Sequence, residues 1–143
     1  MLIIGYGNDL RGDDGVGPKT VEAVAALELP GVQCRTCHQL TPELAETISR
    51  ASRVVFVDAG VESGESVEVA ALSATEDAAA RTHAVSPAAL LAMARELYGK
   101  CPPAWLVTIP IESTAHGESL TPLAQRGMCV AIDRIKLLAA EFA

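Results

Sequence analysis

Aromatic residues are scarce in this chain, whose 143 residues include one Trp, two Tyr and two Phe. A ring-lined binding groove is therefore not available. Half of the residues are apolar, so Val, Ile, Leu and Ala have to fill the core, which favours strands covered by helices. Positive charge is also short, with 11 Lys and Arg against 18 Asp and Glu and a net charge of -7. The basic residues are scattered without a block, and a surface of this sign repels phosphate backbones, which excludes nucleic acid as a partner. Long apolar runs are missing too, and none approaches the roughly 20 residues that cross a bilayer. The strand-like run Leu2-Ile3-Ile4 follows Met1 directly, leaving no space for the charged and apolar regions of an export leader. The expectation is a cytoplasmic protein with no membrane partner.

Disulfides are not expected in that compartment, so the four cysteines read as thiols. Cys34 and Cys37 form a C-x-x-C, but inside a strand-like segment, Val32–Cys37. Residues three apart on a strand point to opposite faces, so this pair would chelate poorly. Cys101 and Cys129 are isolated and complete no four-thiolate zinc site. Structural filler is the better reading for all four.

With no repeat, low-complexity tract or linker in view, residues 1–143 read as one domain. Three short apolar segments rich in β-branched residues, Leu2–Tyr6, Arg53–Asp58 and Trp105–Ile109, have the pattern of strands buried on both faces. Val32–Cys37 and Ser66–Leu72 are further strands, the second alternating and nearer an edge. Too few residues separate Asp58 from Ser66 for a crossover helix, so the third and fourth strands are expected to pair antiparallel through a Gly60–Gly64 turn. Thr41-Pro42, Ser86-Pro87 and Thr121-Pro122 each set a capping hydroxyl before a proline suited to the first helical position. Another helix is expected from near Pro18 to about Leu29. The whole reads as a three-layer α/β domain, with a mixed, mostly parallel five-stranded twisted sheet and helices on both faces.

In open α/β sheets ligands gather beyond the carboxyl ends of the strands. Three polar clusters fall there: Gly5 to Gly17 between the first strand and first helix, Asp58-Ala59-Gly60 after the most apolar strand, and Thr82-His83 before the third helix. The first invites a phosphate-binding reading and fits it badly. Gly5 and Gly7 match the start of G-x-G-x-x-G, but Leu10 stands where the last glycine belongs, and Asp9, Asp13 and Asp14 would face the phosphates. A carboxylate-rich loop suits a cation instead.

On these residues the chain resembles the hydrogenase maturation endopeptidases. Their opening signature is present as Gly5, Gly7, Asn8, Leu10, Asp13, Asp14, Gly15 and Gly17, followed by Asp58-Ala59, by His83, and by Pro110, Glu112, Gly117, Leu120, Thr121 and Pro122. The resemblance covers nearly the whole chain, with four elements in order at matching structural places. It implies a twisted sheet with helices on both faces, and Asp14, Asp58 and His83 as metal-ligating and catalytic residues. It further implies that the metal is nickel already carried by a nickel-iron hydrogenase large-subunit precursor, whose C-terminal extension the enzyme removes. Two carboxylates and an imidazole suit a borderline ion such as nickel, zinc or cadmium, and three protein ligands leave positions open.

Gly7, Asn8, Asp13 and His38 are the substrate-contact candidates. The chain departs from the resemblance at Thr36-Cys37-His38-Gln39-Leu40-Thr41, where many relatives carry Asp-Gly-Gly-Thr, so His38 either joins the site or replaces a loop residue. Plainer readings stand beside these. Asp13 or Asp14 could cap the following helix, Asp58 could bind loop amides, Asn8 could tie its loop, and His83 and His116 could be loop histidines. No Ser-His-Asp, Cys-His or His-Glu-x-x-His pattern can be made out, so cleavage would lean on the metal. A non-catalytic metal- or precursor-binding chaperone, and a small-molecule hydrolase or phosphorylase, are the alternatives. The oligomeric state is left open, a monomer being sufficient.

Overall fold

The structure, a computed structural model, describes residues 1–60, 64–75, 85–115, 117 and 119–141. Its five strands are β1 (Leu2–Tyr6), β2 (Gln33–Cys37), β3 (Val54–Gly60), β4 (Glu68–Leu72) and β5 (Ala104–Pro110). They form one twisted sheet in the order β2-β1-β3-β5-β4. Four α-helices lie among the described residues: α1 (Val16–Ala26), α2 (Leu44–Arg50), α3 (Pro87–Tyr98) and α4 (Pro122–Glu141). β2, β1, β3 and β5 run parallel, and only β4 is antiparallel to its neighbour.

The alternation of side chains along the strands sorts the core into two layers. Leu2, Ile4, Val54, Phe56 and Ala104 pack on α2 and α3 through Ala45, Ile48, Leu90, Leu91 and Ala94. Ile3, Val55, Val57, Val107 and Ile109 pack on α1 and α4 through Val16, Val21, Val24, Ala124, Ala131 and Ile135. Buried on both faces, β1 and β3 have no solvent side to mark with polar residues, hence their unbroken apolar sequence. Cys34 packs in the α1/α4 layer and Cys37 in the α2/α3 layer, on opposite faces as their spacing requires, and both are free thiols.

The expected hairpin between β3 and β4 is not there. β4 is antiparallel at the sheet edge, but its partner is β5, with Glu68 opposite Thr108 and Leu72 opposite Ala104. Both edges of β3 are taken by parallel neighbours, β1 and β5. The reason lies in burial: Val54 to Val57 are fully buried and need a strand on either side, whereas β4, exposed at Glu68, Ala70 and Ala71, tolerates an edge. The Gly60–Gly64 turn itself falls partly on residues outside those described.

Helix starts follow their caps with one exception. The Ser86 hydroxyl accepts from the Ala89 amide at 3.1 Å and α3 stops at Gly99, φ 72°. Thr121 caps α4 at Ala124, 3.4 Å. After Thr41-Pro42 the chain makes a turn first, and α2 begins at Leu44 with no side-chain cap. α1 begins at Val16, earlier than expected, because a 3₁₀ turn over Gly12–Gly15 leads directly into it.

Candidate active site at the carboxyl edge of the sheet

β1 and β3 are adjacent, yet the chain leaving β1 goes by way of α1 to β2, while the chain leaving β3 goes on to the strands on its other side. Such a reversal opens a crevice between the two carboxyl ends, the usual place for a ligand in this architecture. The first two polar clusters meet here.

Glycine makes the meeting possible. A Cβ on Gly17 would lie 2.6 Å from the Val57 carbonyl oxygen and 2.8 Å from that of Tyr6, so α1 can sit on the sheet only without one. Gly7 has φ 145°, and a Cβ there would fall on the Asp14 carbonyl. The glycines therefore serve close packing of strand, loop and helix, and the resemblance to a phosphate cradle is superficial.

Asp14 stands in the 3₁₀ turn, half-buried, with its Oδ2 accepting from the Asn8 amide at 2.8 Å. Asp58 stands at the end of β3, in the row of Val54 and Phe56. Its Oδ1 accepts from the Ala59 amide at 2.7 Å and its Oδ2 from the Tyr6 hydroxyl at 3.0 Å. Burial pushes the Asp58 carboxyl above its ordinary range, and the charge of Asp14 pushes the same way against the two hydrogen bonds. Tyr6 is held neutral, its hydroxyl raised by burial and by the neighbouring Asp58. Asp58 therefore feels the charge of Asp14.

Asp13 has a different task. It is fully buried and reaches the loop between β5 and α4. Oδ1 accepts from the Thr121 amide at 2.7 Å, and Oδ2 from the Thr121 hydroxyl at 2.6 Å and the amides of Glu112 and Ser113 at 2.9 and 3.2 Å. Burial alone would raise its carboxyl, but the bonds from Thr121, Glu112 and Ser113 outweigh it and hold the group below its ordinary value. Backbone bonds from Gly12 to Gly117 and from Asp13 to Ser113 fasten the same two loops. With its oxygens engaged inside the protein, this candidate contact is a brace between loops.

Asn8 ties its own loop, its side-chain oxygen accepting from the Leu10 amide at 3.0 Å. Gly7 and His38 line a small pocket of about 150 Å³ together with Asp9, Pro18, Glu22, Thr36 and Cys37. His38 is exposed at its rim.

The chain matches no protein-family model and no curated protein. Solved structures are another matter. The hydrogenase maturating endopeptidase HybD from E. coli superposes with a TM-score of 0.79 over 99% of this chain and 93% of that one, at 22% identity. The NiFe hydrogenase maturation protease HycI from Thermococcus kodakarensis gives 0.72 over 97% and 89%, at 26% identity. A hydrogenase 2 maturation peptidase from a Thaumarchaeota archaeon gives 0.70 over 94% and 93%, at 23% identity. The chain has the fold of the hydrogenase maturation endopeptidases.

On that maturation-protease fold, Asp14 and Asp58 lie near enough for the charge of Asp14 to act on the Asp58 carboxyl. His83 and His116 lie outside the described residues. Among the described residues, no three His, Cys, Asp or Glu side chains form a metal-holding group. Tyr6 is the residue that sequence reasoning missed, because it reads as the last residue of a buried strand. Its signal was the register: Gly5 pairs with Val57 in parallel, so the next residues along are Tyr6 and Asp58. No described helix is long and apolar enough to cross a membrane.

Proposed function

We propose that this chain is the endopeptidase that removes the C-terminal extension of a nickel-iron hydrogenase large-subunit precursor after nickel insertion. The observation that carries the reading is the Asp14–Asp58 pair at the carboxyl edge of a maturation-protease fold, with the Asp58 carboxyl driven upward by burial and by the charge of Asp14. A crevice so short of positive charge favours a divalent cation. Nickel enters as part of the substrate and would meet Asp14, Asp58 and His83, and zinc or cadmium could take its place. The bound ion would polarise the scissile carbonyl or activate water, with Asp14 or Asp58 as ligand and base. Gly7 and His38, which line the small pocket near β2, and Asn8, whose amide donates to Asp14, would contact an extended substrate.

The test is to incubate the purified protein with precursor in nickel-loaded and nickel-free forms and follow precursor mass. Loss of the extension from the loaded form alone is expected. Stable complex formation without cleavage would overturn the reading in favour of a chaperone.

A further inference from the structure

Within this reading, Asp58 has to present its free lone pairs to an incoming ion, and an aspartate carboxylate turns easily about its last torsion. Two donors remove that freedom. The Ala59 amide holds Oδ1 at 2.7 Å from within the strand, and the Tyr6 hydroxyl holds Oδ2 at 3.0 Å from the neighbouring strand. The first is a local bond that follows the backbone of its own strand. The second joins residues 52 apart in sequence, and it comes from a ring that is itself fixed. Tyr6 ends the second strand from the sheet edge, opposite Cys37 on one side and flanked by β3 on the other, and it packs against the core layer of Ile4 and Phe56. Its hydroxyl has one proton to give, and an acceptor-only carboxylate is where it goes.

We infer that Tyr6 is a positioning residue: through the bond to Asp58 Oδ2 it sets the carboxylate plane so that the remaining lone pairs face the crevice shared with Asp14. This rests on Asp58 being a metal ligand. A hydrogen-bonded outer partner of a ligating carboxylate typically contributes a factor of about 10 to 100 in metal affinity. The plainer possibility, that the phenol merely satisfies a half-buried carboxylate, makes a different forecast, since stability would then change and affinity would not.

The experiment titrates the full chain with cadmium, by calorimetry, for wild type, Tyr6→Phe, Asp58→Asn and the double variant, with a melting curve for each. Tyr6→Phe removes one oxygen and keeps the ring that packs, so the fold is retained. Expected is a loss of affinity of roughly 10- to 100-fold in Tyr6→Phe, a larger loss in Asp58→Asn, and no further loss when both are combined, since Tyr6 acts through Asp58. If Asp58→Asn weakens binding and Tyr6→Phe binds as wild type does, the inference about Tyr6 falls and the ligand reading stands. If Asp58→Asn binds like wild type, both fall. An additive double variant would overturn the claim that Tyr6 acts through Asp58.

Discussion

Two carboxylates of this chain respond to folding in opposite directions, and the contrast separates brace from site. Asp13 is held below its ordinary value, so its contribution to stability is complete above the unfolded value of about 3.9 and is lost as pH falls through the folded one. Asp58 is held above its ordinary value. The stability linked to it is present below about 3.9 and is lost as pH rises through the folded value, so its charge is a burden at neutral pH. Asp58→Asn keeps the shape and lifts that burden. We expect a melting temperature at neutral pH equal to or above wild type, a gap that closes in acid, and no precursor processing. A clearly lower melting temperature with processing intact would make Asp58 a structural residue.

Asp13→Asn should do the reverse. An amide cannot replace both oxygens, because its NH2 group must face either the Thr121 amide or those of Glu112 and Ser113. At least one amide donor is then left without its acceptor, and a charge-assisted network becomes neutral. The expected loss is about 2–3 kcal/mol. The acid limb of the stability profile should flatten in the same variant, and denaturant titration across pH would detect both changes.

Among the elements, α1 shows how tightly sequence constrains geometry. Gly17→Ala puts a methyl group 2.6 Å from the Val57 carbonyl oxygen and 2.8 Å from that of Tyr6, both backbone atoms of the central sheet that cannot swing aside. Displacing the helix should cost about 3 kcal/mol, at the top of the usual range for overpacking. It should also loosen the 3₁₀ turn that carries Asp14. A helix start gives a milder comparison, since Ser86→Ala removes one cap from α3 and should cost about 1 kcal/mol. Equal effects of the two variants in denaturant would refute the close-packing role given to Gly17.

Elements of this kind are largely legible in sequence. Runs such as Val54-Val55-Phe56-Val57 declare buried strands through composition alone, and Ser86-Pro87 declares a helix start through local chemistry. The partner of β4 was not legible, because a short connection suggests a hairpin while pairing is decided by which strands need covering on both edges. Asp58 was visible as a carboxylate ending an apolar strand, but Asp14 was one of three carboxylates in a glycine-rich loop and was singled out by the family resemblance, whereas Tyr6 was not visible at all, its meaning depending on the register of β1 against β3. Asp13 looked like its neighbour Asp14 until the β5–α4 loop was in place to receive it.

At the scale of the whole molecule, the crevice depends on segments that are distant along the chain and adjacent only when the sheet is formed. The β1–α1 loop supplies Asp14, the end of β3 supplies Asp58, and the β5–α4 loop holds the first of these in place through Asp13. Among the described residues a site so assembled offers carboxylates, which suit an exchangeable ion better than a permanent one. Under the proposed function, in which the ion is brought by the substrate, the protein purified without added metal should lose any divalent ion on dialysis against a chelator and should still process nickel-loaded precursor afterwards. Elemental analysis before and after dialysis, with processing measured on the same samples, gives the answer. A stoichiometric metal that survives the chelator, or activity that returns only when free metal is restored, would mean that the crevice holds an ion of its own.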